Sequence, residues 1–435
     1  MNNKIAVVGA GCASLTAAAI LSSRGYDVTV YEKREETDFK NERAVSFDPD
    51  LLEICGVGLP PRNEWLSASS VSVYSPSLST ELHRHIPESR LNIKMLDGDL
   101  INHLISHAKE CGVKFIFGCE AESLIIFGER AVGIKTNSGE VYANLVIDGA
   151  GLNSRLRRSL PNGVKIPKSI SPKDISYTYF ARCSKPENVL VRDKYRTVIF
   201  PDGSRTIARI ETEENFTDVY ITGFEPMSKA QINSIFDFLK SFNPSVGDGI
   251  ICGGKVYKSP SRVPMNIPLC DGYAAVGSAS FAADPFTGEG VSEELMQAKL
   301  LSKAVCRDKR GIYDKEALWG SQSDYFIVAG KNLMAFSAVK KVLLSLSDEE
   351  IDGIFQKKLI TSKDLSFDMK KPFSSFNIQS LTEKLKLLND DPILFKKLSH
   401  SLPQILSALA LGETFPRKWN DYTVNLWLKG AKFFE

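Results

Sequence analysis

Apolar and polar positions alternate along this chain in short, distinct periods. Ile5-Ala6-Val7-Val8 is an apolar run rich in β-branched residues, the mark of a buried strand. Gly9-Ala10-Gly11-Cys12-Ala13-Ser14 interrupts it, residues 15–24 take a helical spacing, and Val28-Thr29-Val30-Tyr31 forms a second apolar run closed by Glu32. Residues 50–54 make a short helical patch that stops at Cys55-Gly56-Val57-Gly58, and 71–74 alternate as a strand does. Apolar residues at 100, 101, 104, 105 and 108 predict a helix over 98–110, stopped by Gly112. Strands follow at 113–117 and 145–147, with a hairpin between them at 123–127 and 131–136.

The period changes after about residue 165. From there to 258 the chain reads mostly as strands, at 175–181, 197–200, 206–210 and 219–223, interrupted by one helix over 229–242. Helix–strand alternation resumes at Gly272-Tyr273-Ala274-Ala275-Val276-Gly277, followed by a glycine-rich turn and a helix over 291–307. Beyond 315 the pattern is helical, at 316–345, 348–358, 378–389, 391–400 and 402–411. The fold class expected is α/β: a Rossmann-like domain, an inserted antiparallel β-sheet domain and a C-terminal helical region. The boundaries expected are 1–164 for the first part of the Rossmann-like domain, with short β segments of the inserted domain near 65–90. The inserted domain covers 165–262, the second Rossmann-like part 263–314, and the helical region 315–435.

The first stretch carries chemistry. A strand, a glycine turn, a helix, a second strand and an acid some twenty residues on form the dinucleotide-binding pattern in its proper context. Gly9 allows the tight turn after the strand, and Gly11 lets the backbone approach a pyrophosphate seated on the positive end of the helix. Cys12, Ala13 and Ser14 complete the turn, with Ser14 where glycine or alanine is usual. Glu32 is placed to accept hydrogen bonds from ribose hydroxyls. The alternative is a buried strand–helix–strand unit that binds nothing.

Totals narrow the choice. The chain has 435 residues, enough for two or three domains with sizeable cores. Its 54 basic and 52 acidic residues leave a charge of +2, which argues against nucleic acid as a partner. The eight cysteines, at 12, 55, 111, 119, 183, 252, 270 and 306, form no CxxC, so no zinc site is expected. Reduced thiols in a cytoplasmic protein are the simplest reading, since the N-terminal apolar run is cut by glycines. No apolar run reaches the roughly 18–20 residues that span a bilayer.

Three further stretches, taken with the first, resemble the geranylgeranyl reductase family of flavoproteins, with the archaeal digeranylgeranylglycerophospholipid reductases most similar. Val146-Ile147-Asp148-Gly149-Ala150-Gly151-Leu152-Asn153-Ser154 is similar to the A-D-G-x-x-S turn of the wider para-hydroxybenzoate hydroxylase-like group. Phe200-Pro201-Asp202-Gly203 is similar to the family's Y-x-W-x-F-P-x-G segment. Pro264-Met265-Asn266-Ile267-Pro268, then Val276-Gly277-Ser278-Ala279, then Asp284-Pro285-Phe286-Thr287-Gly288-Glu289-Gly290 resembles P-x-x-x-P, V-G-D-A, D-P-x-T-G-x-G. The likeness covers roughly residues 1–310. Serine at 278 and alanine at 150 stand where the family has aspartates. Leu96-Asp97 replaces an arginine, and Arg196 and Val198 replace two aromatics.

The resemblance implies FAD as cofactor, and it is through the resemblance that the Glu32-Lys33-Arg34 ending of the second strand favours FAD over NAD. It implies cofactor contacts from Gly277, Ser278, Asp284, Pro285, Gly288, Glu289, Gly290 and Val291, beside those of the first turn. A strand ends at Gly277 and a helix opens at Gly290 or Val291, so backbone N–H groups there can face the anionic edge of a reduced flavin. Cys55-Gly56-Val57-Gly58-Leu59 is similar to a Cys-Gly-x-Gly-Leu motif beside the flavin ring; alternatively, Arg43-Ala44-Val45 answers to an Arg-Ala segment of aromatic hydroxylases and Cys55-Gly56 merely ends a helix. Cys55 is therefore the catalytic candidate; a small buried thiol is the alternative. Phe200 and Pro201 are the substrate-side candidates.

The activity implied is reduction of carbon–carbon double bonds in an isoprenoid lipid by hydride from reduced flavin. Alternatives are a flavin monooxygenase acting on an aromatic or quinone, and a non-catalytic lipid-binding homologue. No second G-x-G-x-x-G unit is present, so electrons are expected from transiently docked NAD(P)H or a ferredoxin-like carrier. His103 and His107, one helical turn apart, and His83 and His85 read as solvated or packing residues. Arg155-Leu156-Arg157-Arg158 reads as a surface cluster, and Ser292-Glu293-Glu294 as acids that complement a helix dipole. Leu426-Trp427-Leu428 beside Lys429 and Lys432 suits an apolar tunnel or a membrane surface, so a cytoplasmic protein with peripheral membrane contact is expected.

Overall fold

A computed structural model gives the fold and describes residues 3–68, 70–86, 92–189, 194–364 and 383–434. At its centre lies a six-stranded sheet in the order Leu269–Cys270, Tyr273–Ala275, Leu145–Asp148, Lys4–Val8, Asp27–Tyr31 and Lys114–Ile116. Lys4–Val8 runs parallel to both neighbours, with Val7 opposite Ile147 on one side and Val30 on the other. A strand buried on both faces needs apolar residues throughout, which is why it reads as a continuous run. Its alternate side chains go to different cores. Ile5 and Val7 meet Leu15, Leu104 and Leu295, brought by the helices Cys12–Ser22, Asp97–Glu110 and Val291–Arg307. Ala6 and Val8 meet Leu124 and Ile134 of a three-stranded sheet, Ala121–Phe127, Arg130–Thr136 and Gly139–Tyr142.

A second sheet has seven strands in the order Ile250–Pro260, Ile175–Ser184, Phe216–Gly223, Thr206–Thr212, Tyr195–Ile199, Ser70–Tyr74 and Glu81–His85. All pairs are antiparallel except Tyr195–Ile199 with Ser70–Tyr74. Ala208, Ile210, Val219 and Ile221 point outward and pack under Ile232, Ile235 and Leu239 of the Lys229–Phe242 helix. The opposite face carries Thr178, Phe180, Arg209, Glu211, Tyr220 and Thr222 and looks toward the first domain. A small sheet, Ala44–Phe47, Ile93–Leu96 and Trp65–Ser67, closes the space between the two large ones.

The helical region departs from its reading in two places. The expected helix 316–345 is Lys315–Tyr325 and Lys331–Ser345 joined by a π turn, Phe326–Gly330. The expected pair 391–400 and 402–411 is one helix, Pro392–Glu413, with Pro403 inside it. Leu394, on the first half, and Ile405 and Ala408, on the second, are all buried, so packing holds both halves despite the missing N–H. The reading at 378–389 falls partly outside the described residues.

Candidate functional site

The glycine turn has the geometry its sequence predicts. Gly9 sits at φ +89°, and a Cβ there would lie 2.5 Å from the Gly149 carbonyl oxygen. Gly11, just before the first helix, has φ −84° and ψ 169°, with open space where a Cβ would be. No side chain caps the Cys12–Ser22 helix, so its first N–H groups remain available. Ser14 is buried against Gly149, the residue whose missing side chain makes room for it. Glu32 is buried too; its carboxylate accepts from the Ala10 N–H (2.7 Å) and the Arg34 N–H (2.9 Å), tying the end of the second strand to the turn.

A second turn, Gly277–Ser280, faces the first. Gln297 accepts from the Gly277 N–H at 2.8 Å and holds the turn from the Val291–Arg307 helix. Arg157 holds it from the other side, donating to the Ala279 carbonyl (2.6 Å) and the Leu152 carbonyl (2.7 Å). Arg157 is fully buried, which corrects its reading as part of a surface cluster: two backbone carbonyls and the Phe281 ring take the guanidinium out of water. Asp148 is likewise internal. It accepts from Tyr273 Oη (2.6 Å), Ser154 Oγ (2.5 Å) and the Ala150 N–H (3.0 Å), so it braces the sheet.

The loop after the second turn is shaped by Asp284. Its carboxylate accepts from the N–H groups of Phe286 and Thr287, both at 2.8 Å, and its carbonyl from the Gly288 N–H. Burial pushes its acid up despite those bonds. Glu289 follows and pairs with Arg209 of the seven-stranded sheet at 2.5 Å. Gly290 then opens the Val291–Arg307 helix, again without a side-chain cap.

Between the turns, the loop and the sheet lies a cavity of about 560 Å³. One flank is apolar, with Val45, Val71, Ile86, Leu100, Ile101 and Ile207. The sheet wall is polar, with Thr178, Thr197, Thr222 and the phenols of Tyr195, Tyr220 and Tyr257. A buried ion network crosses that wall. Lys94 lies 2.8 Å from Glu211 and 3.1 Å from Asp218; Arg182 is bidentate on Asp218; Arg209 joins Glu211 (2.9 Å) to Glu289. Burial pulls the Lys94 ammonium down, but Glu211 and Asp218 outweigh it and hold it above its usual value.

The structure brings much of the predicted site together. Gly11, Cys12, Arg43, Ser278, Asp284, Gly288, Glu289, Gly290 and Val291 all line the cavity. Gly9, Ala13, Ser14, Gly277 and Pro285 shape the turns and the loop behind it. Lys33 is exposed and outside it. Cys55 is not brought to the cavity. It is buried in the main core, its Sγ 3.5 Å from the Leu295 carbonyl, and burial pushes its thiol up to about 11. Phe200 and Pro201 also lie elsewhere: Phe200, at φ +52°, ends its strand in a cluster with Leu346, Ile351 and Phe355 of the helical region. The loss of the family's aromatics at 196 and 198 gave no warning of this, because the contacts come from 150 residues away.

Two residues assigned only to a dipole are part of the cavity wall. Burial pushes Glu293 up to about 8 and Glu294 up to about 7. A pair of acids opening a helix looks the same in sequence whether it faces solvent or a cavity. Among the described residues no group of three or more His, Cys, Asp or Glu side chains is placed to hold a metal.

Residues 7–42 match a family of NAD(P)-binding Rossmann-like domains. The digeranylgeranylglycerophospholipid reductase of Haloferax volcanii is 30% identical over 323 residues, covering 70% of this chain and 76% of that protein. This chain belongs to the geranylgeranyl reductase family of flavoproteins. The corresponding reductase of Sulfolobus acidocaldarius shares 22% identity with this family member over 83% of this chain and 82% of its own length. Among solved structures, a geranylgeranyl bacteriochlorophyll reductase-like protein from Thermoplasma acidophilum superposes with a TM-score of 0.72 at 18% identity. It spans 92% of this chain and 98% of its own. PqsL, a probable FAD-dependent monooxygenase from Pseudomonas aeruginosa, superposes at 0.61 and 18% identity over 81% and 99% of the two chains. The geranylgeranyl reductase family member described here is thus an oxidoreductase with the fold of the FAD-dependent enzymes.

Proposed function

We propose that this family member binds FAD and reduces carbon–carbon double bonds of a polyprenyl lipid of geranylgeranyl type. The observation that carries the reading is one cavity that meets the uncapped glycine turn at one end, the uncapped 284–291 loop at another, and an apolar flank between. FAD, when bound and reduced, would supply hydride to one alkene carbon, and a proton would be added to the other. The chain supplies the rest. The free N–H groups after Gly11 bind the pyrophosphate, and Glu32 the ribose. The N-terminus of the Val291–Arg307 helix favours negative charge at the ring end. Val71, Ile86, Leu100 and Ile101 align an isoprenoid segment and exclude water, which matters because an unpolarised alkene offers no charge to grip.

Electrons enter from transiently docked NAD(P)H or a ferredoxin-like carrier. No helix among the described residues is long and apolar enough to cross a membrane. A lipid substrate would be met at a membrane surface, for which the last helix, Asp421–Ala431, offers exposed Tyr422 and Leu426 beside Lys429.

The test has two stages. The purified protein, incubated with FAD and desalted, should keep a flavin absorption band. Reduced without oxygen and given a geranylgeranyl lipid, it should yield product heavier by two hydrogens per saturated bond. No retained flavin rejects the cofactor; flavin without saturation of any prenyl lipid rejects the substrate. The tyrosine-bearing wall favours a second reading, a monooxygenase acting on an aromatic or quinone, which would show dioxygen consumption coupled to turnover.

Cys55→Ala is expected to leave turnover within about twofold of the parent and to cost about 1 kcal/mol of stability, as a small cavity in a packed core does. Activity assays beside thermal unfolding check this. A tenfold loss of turnover with flavin retained would put Cys55 back in the reaction.

A further inference from the structure

A lysine is buried where the reaction above gives it nothing to do. Lys340, on the Lys331–Ser345 helix, is 6% exposed and forms no ion pair among the described residues. Its ammonium donates to the Ser261 carbonyl and, at 2.8 Å, to the Ser261 hydroxyl, with the Phe224 ring 5.3 Å away. Ser261 is itself buried and donates its hydroxyl proton to the Pro285 carbonyl at 2.5 Å. A chain of three groups thus runs from the helical region to the 284–291 loop. Its direction is fixed from one end. An ammonium has no lone pair and can only donate, so the serine proton is left for Pro285.

Inside the loop the other groups satisfy each other. The Phe286 and Thr287 N–H groups donate to the Asp284 carboxylate, the Gly288 N–H to the Asp284 carbonyl, and the Asp284 N–H to the Glu289 carbonyl. The Pro285 carbonyl is held from outside. The peptide between Pro285 and Phe286 is therefore gripped at both ends, its oxygen by Ser261 and its N–H by Asp284. The Phe286 ring meets that of Phe336 edge-on at 6.1 Å. Phe336 and Lys340 lie one turn apart on one face of the Lys331–Ser345 helix, so a single helix face supports both neighbouring contacts. Ser261 is fixed in turn by its own N–H, which donates to the Asp174 carbonyl at 2.7 Å.

We propose that Lys340 and Ser261 are positioning residues for the ring end of the cofactor site: the buried ammonium sets the serine hydroxyl, the hydroxyl holds the Pro285 carbonyl, and the loop is thereby presented in one conformation. The inference rests on the reading that the 284–291 loop meets the ring of FAD, and it adds the residues that keep the loop in place. Neither residue is given a contact with flavin or substrate.

Charge supports the direction of the link. Burial pulls the Lys340 ammonium down to about 8, with Lys341 and Arg262 acting the same way and Asp174 and Asp284 opposing them, so it keeps its proton at neutral pH. Asp174 already pairs with Arg262 at 3.3 Å. A buried cation held by neutral acceptors is costly, and methionine would fill the same space. What methionine cannot supply is a charge-assisted hydrogen bond leading to the loop.

The experiment compares the parent with Lys340→Met, Ser261→Ala and the double variant. In the cofactor-free proteins at pH 7, amide hydrogen exchange of the 284–291 segment should be at least about threefold faster in Lys340→Met and about tenfold faster in Ser261→Ala. The double variant should be no faster than Ser261→Ala alone, since both changes act through one link. Exchange in the Asp97–Glu110 helix should not change. The thermal midpoint of Lys340→Met should stay within a few degrees of the parent or rise, because methionine relieves a buried charge. With FAD bound, the two-electron midpoint potential, read against reference dyes, should fall in both single variants. A loosened loop loses its hold on the reduced, anionic ring more than on the oxidised one, and a threefold loss of that preference is about 14 mV. Unchanged loop exchange in Ser261→Ala overturns the proposal, as does a double variant in which the two effects multiply. A loosened loop with an unmoved potential also overturns it, by making the link a brace without influence on the ring. If Lys340→Met does not fold, Ser261→Ala decides by the same two readouts. A parent that retains no FAD rejects the cofactor reading and the ring placement with it, whereas the exchange results reject this inference alone.

Discussion

Gly11→Val is expected to leave the protein folded and to cost it FAD. The valine has room: nothing lies within 4 Å of the Cβ position, and φ −84° with ψ 169° is ordinary extended backbone for any residue. The exchange loses only the mild preference for glycine over an apolar residue before a helix, about 1 kcal/mol, which lowers the unfolding midpoint by a few degrees. The empty space is on the cavity side, where the pyrophosphate must come within hydrogen-bond reach of the first N–H groups of the helix. Two branched methyls there should weaken FAD binding by at least about 100-fold, roughly the three kcal/mol lost with two charge-assisted hydrogen bonds. Gly9→Ala makes the opposite case. Positive φ and a carbonyl 2.5 Å away mean that it should lower stability before cofactor is added. Desalted flavin content and thermal unfolding separate the two. A Gly11→Val protein that keeps its flavin would show that the open space is not the cofactor's.

Lys94→Met should be the most damaging single change in the sheet wall. Lys94 is 5% exposed and is the shared counter-ion of Glu211, Asp218 and, at 3.8 Å, Glu213. Methionine keeps the bulk and removes the charge. Arg182 and Arg209 still hold one carboxylate each, but among the described residues Glu213 is left with the Tyr195 hydroxyl. Removing one partner of a buried charge cluster costs about 3–5 kcal/mol. The sign of the pH dependence follows from Lys94 being held above its usual value: its contribution is complete at neutral pH and lost only as pH rises through the folded-state value. In the variant the stranded carboxylates can be relieved by protonation. The deficit against the parent should therefore be largest from pH 7 upward and shrink as pH falls toward 5. Denaturant midpoints at pH 5 and 8 measure this. A deficit below about 1 kcal/mol, or one equal at both pH values, would mean that water reaches the cluster and screens it.

What could be read from the chain follows the range of the forces involved. The dinucleotide turn was legible because its parts are neighbours in sequence and each glycine answers a local geometric need. The 277–291 stretch was legible for the same reason. Arg157 was not, because its partners at 279 and 281 are more than a hundred residues away, and an arginine cluster after a turn looks solvated until they are placed. Cys55 and Phe200 sit in segments similar to the family's site motifs, yet the faces they present are chosen by Leu295 and by Leu346 and Ile351. The edge strand Ile250–Pro260 was missed because its outer side chains, Ile250, Ile251 and Val256, are exposed among glycines and lysines. Glu294 was read correctly as a helix-opening acid; that it also lines the cavity depended on how the first helix and the Gly277–Ser280 turn approach each other.

The contact of Ser14 with Gly149 ties the histories of two positions that are 135 residues apart in the chain. The serine side chain fills the volume that any Cβ at 149 would require. With Ser14 in place, any Cβ at 149 forces the serine hydroxyl to move, whereas with glycine at 14 the nearest remaining neighbour is the Val8 carbonyl oxygen at 3.3 Å. The order of the two substitutions matters: 14 then 149 avoids the clash at 1.9 Å, and 149 then 14 passes through it. Residues 14 and 149 should accordingly be exchanged as a pair when turns are grafted between members of this family.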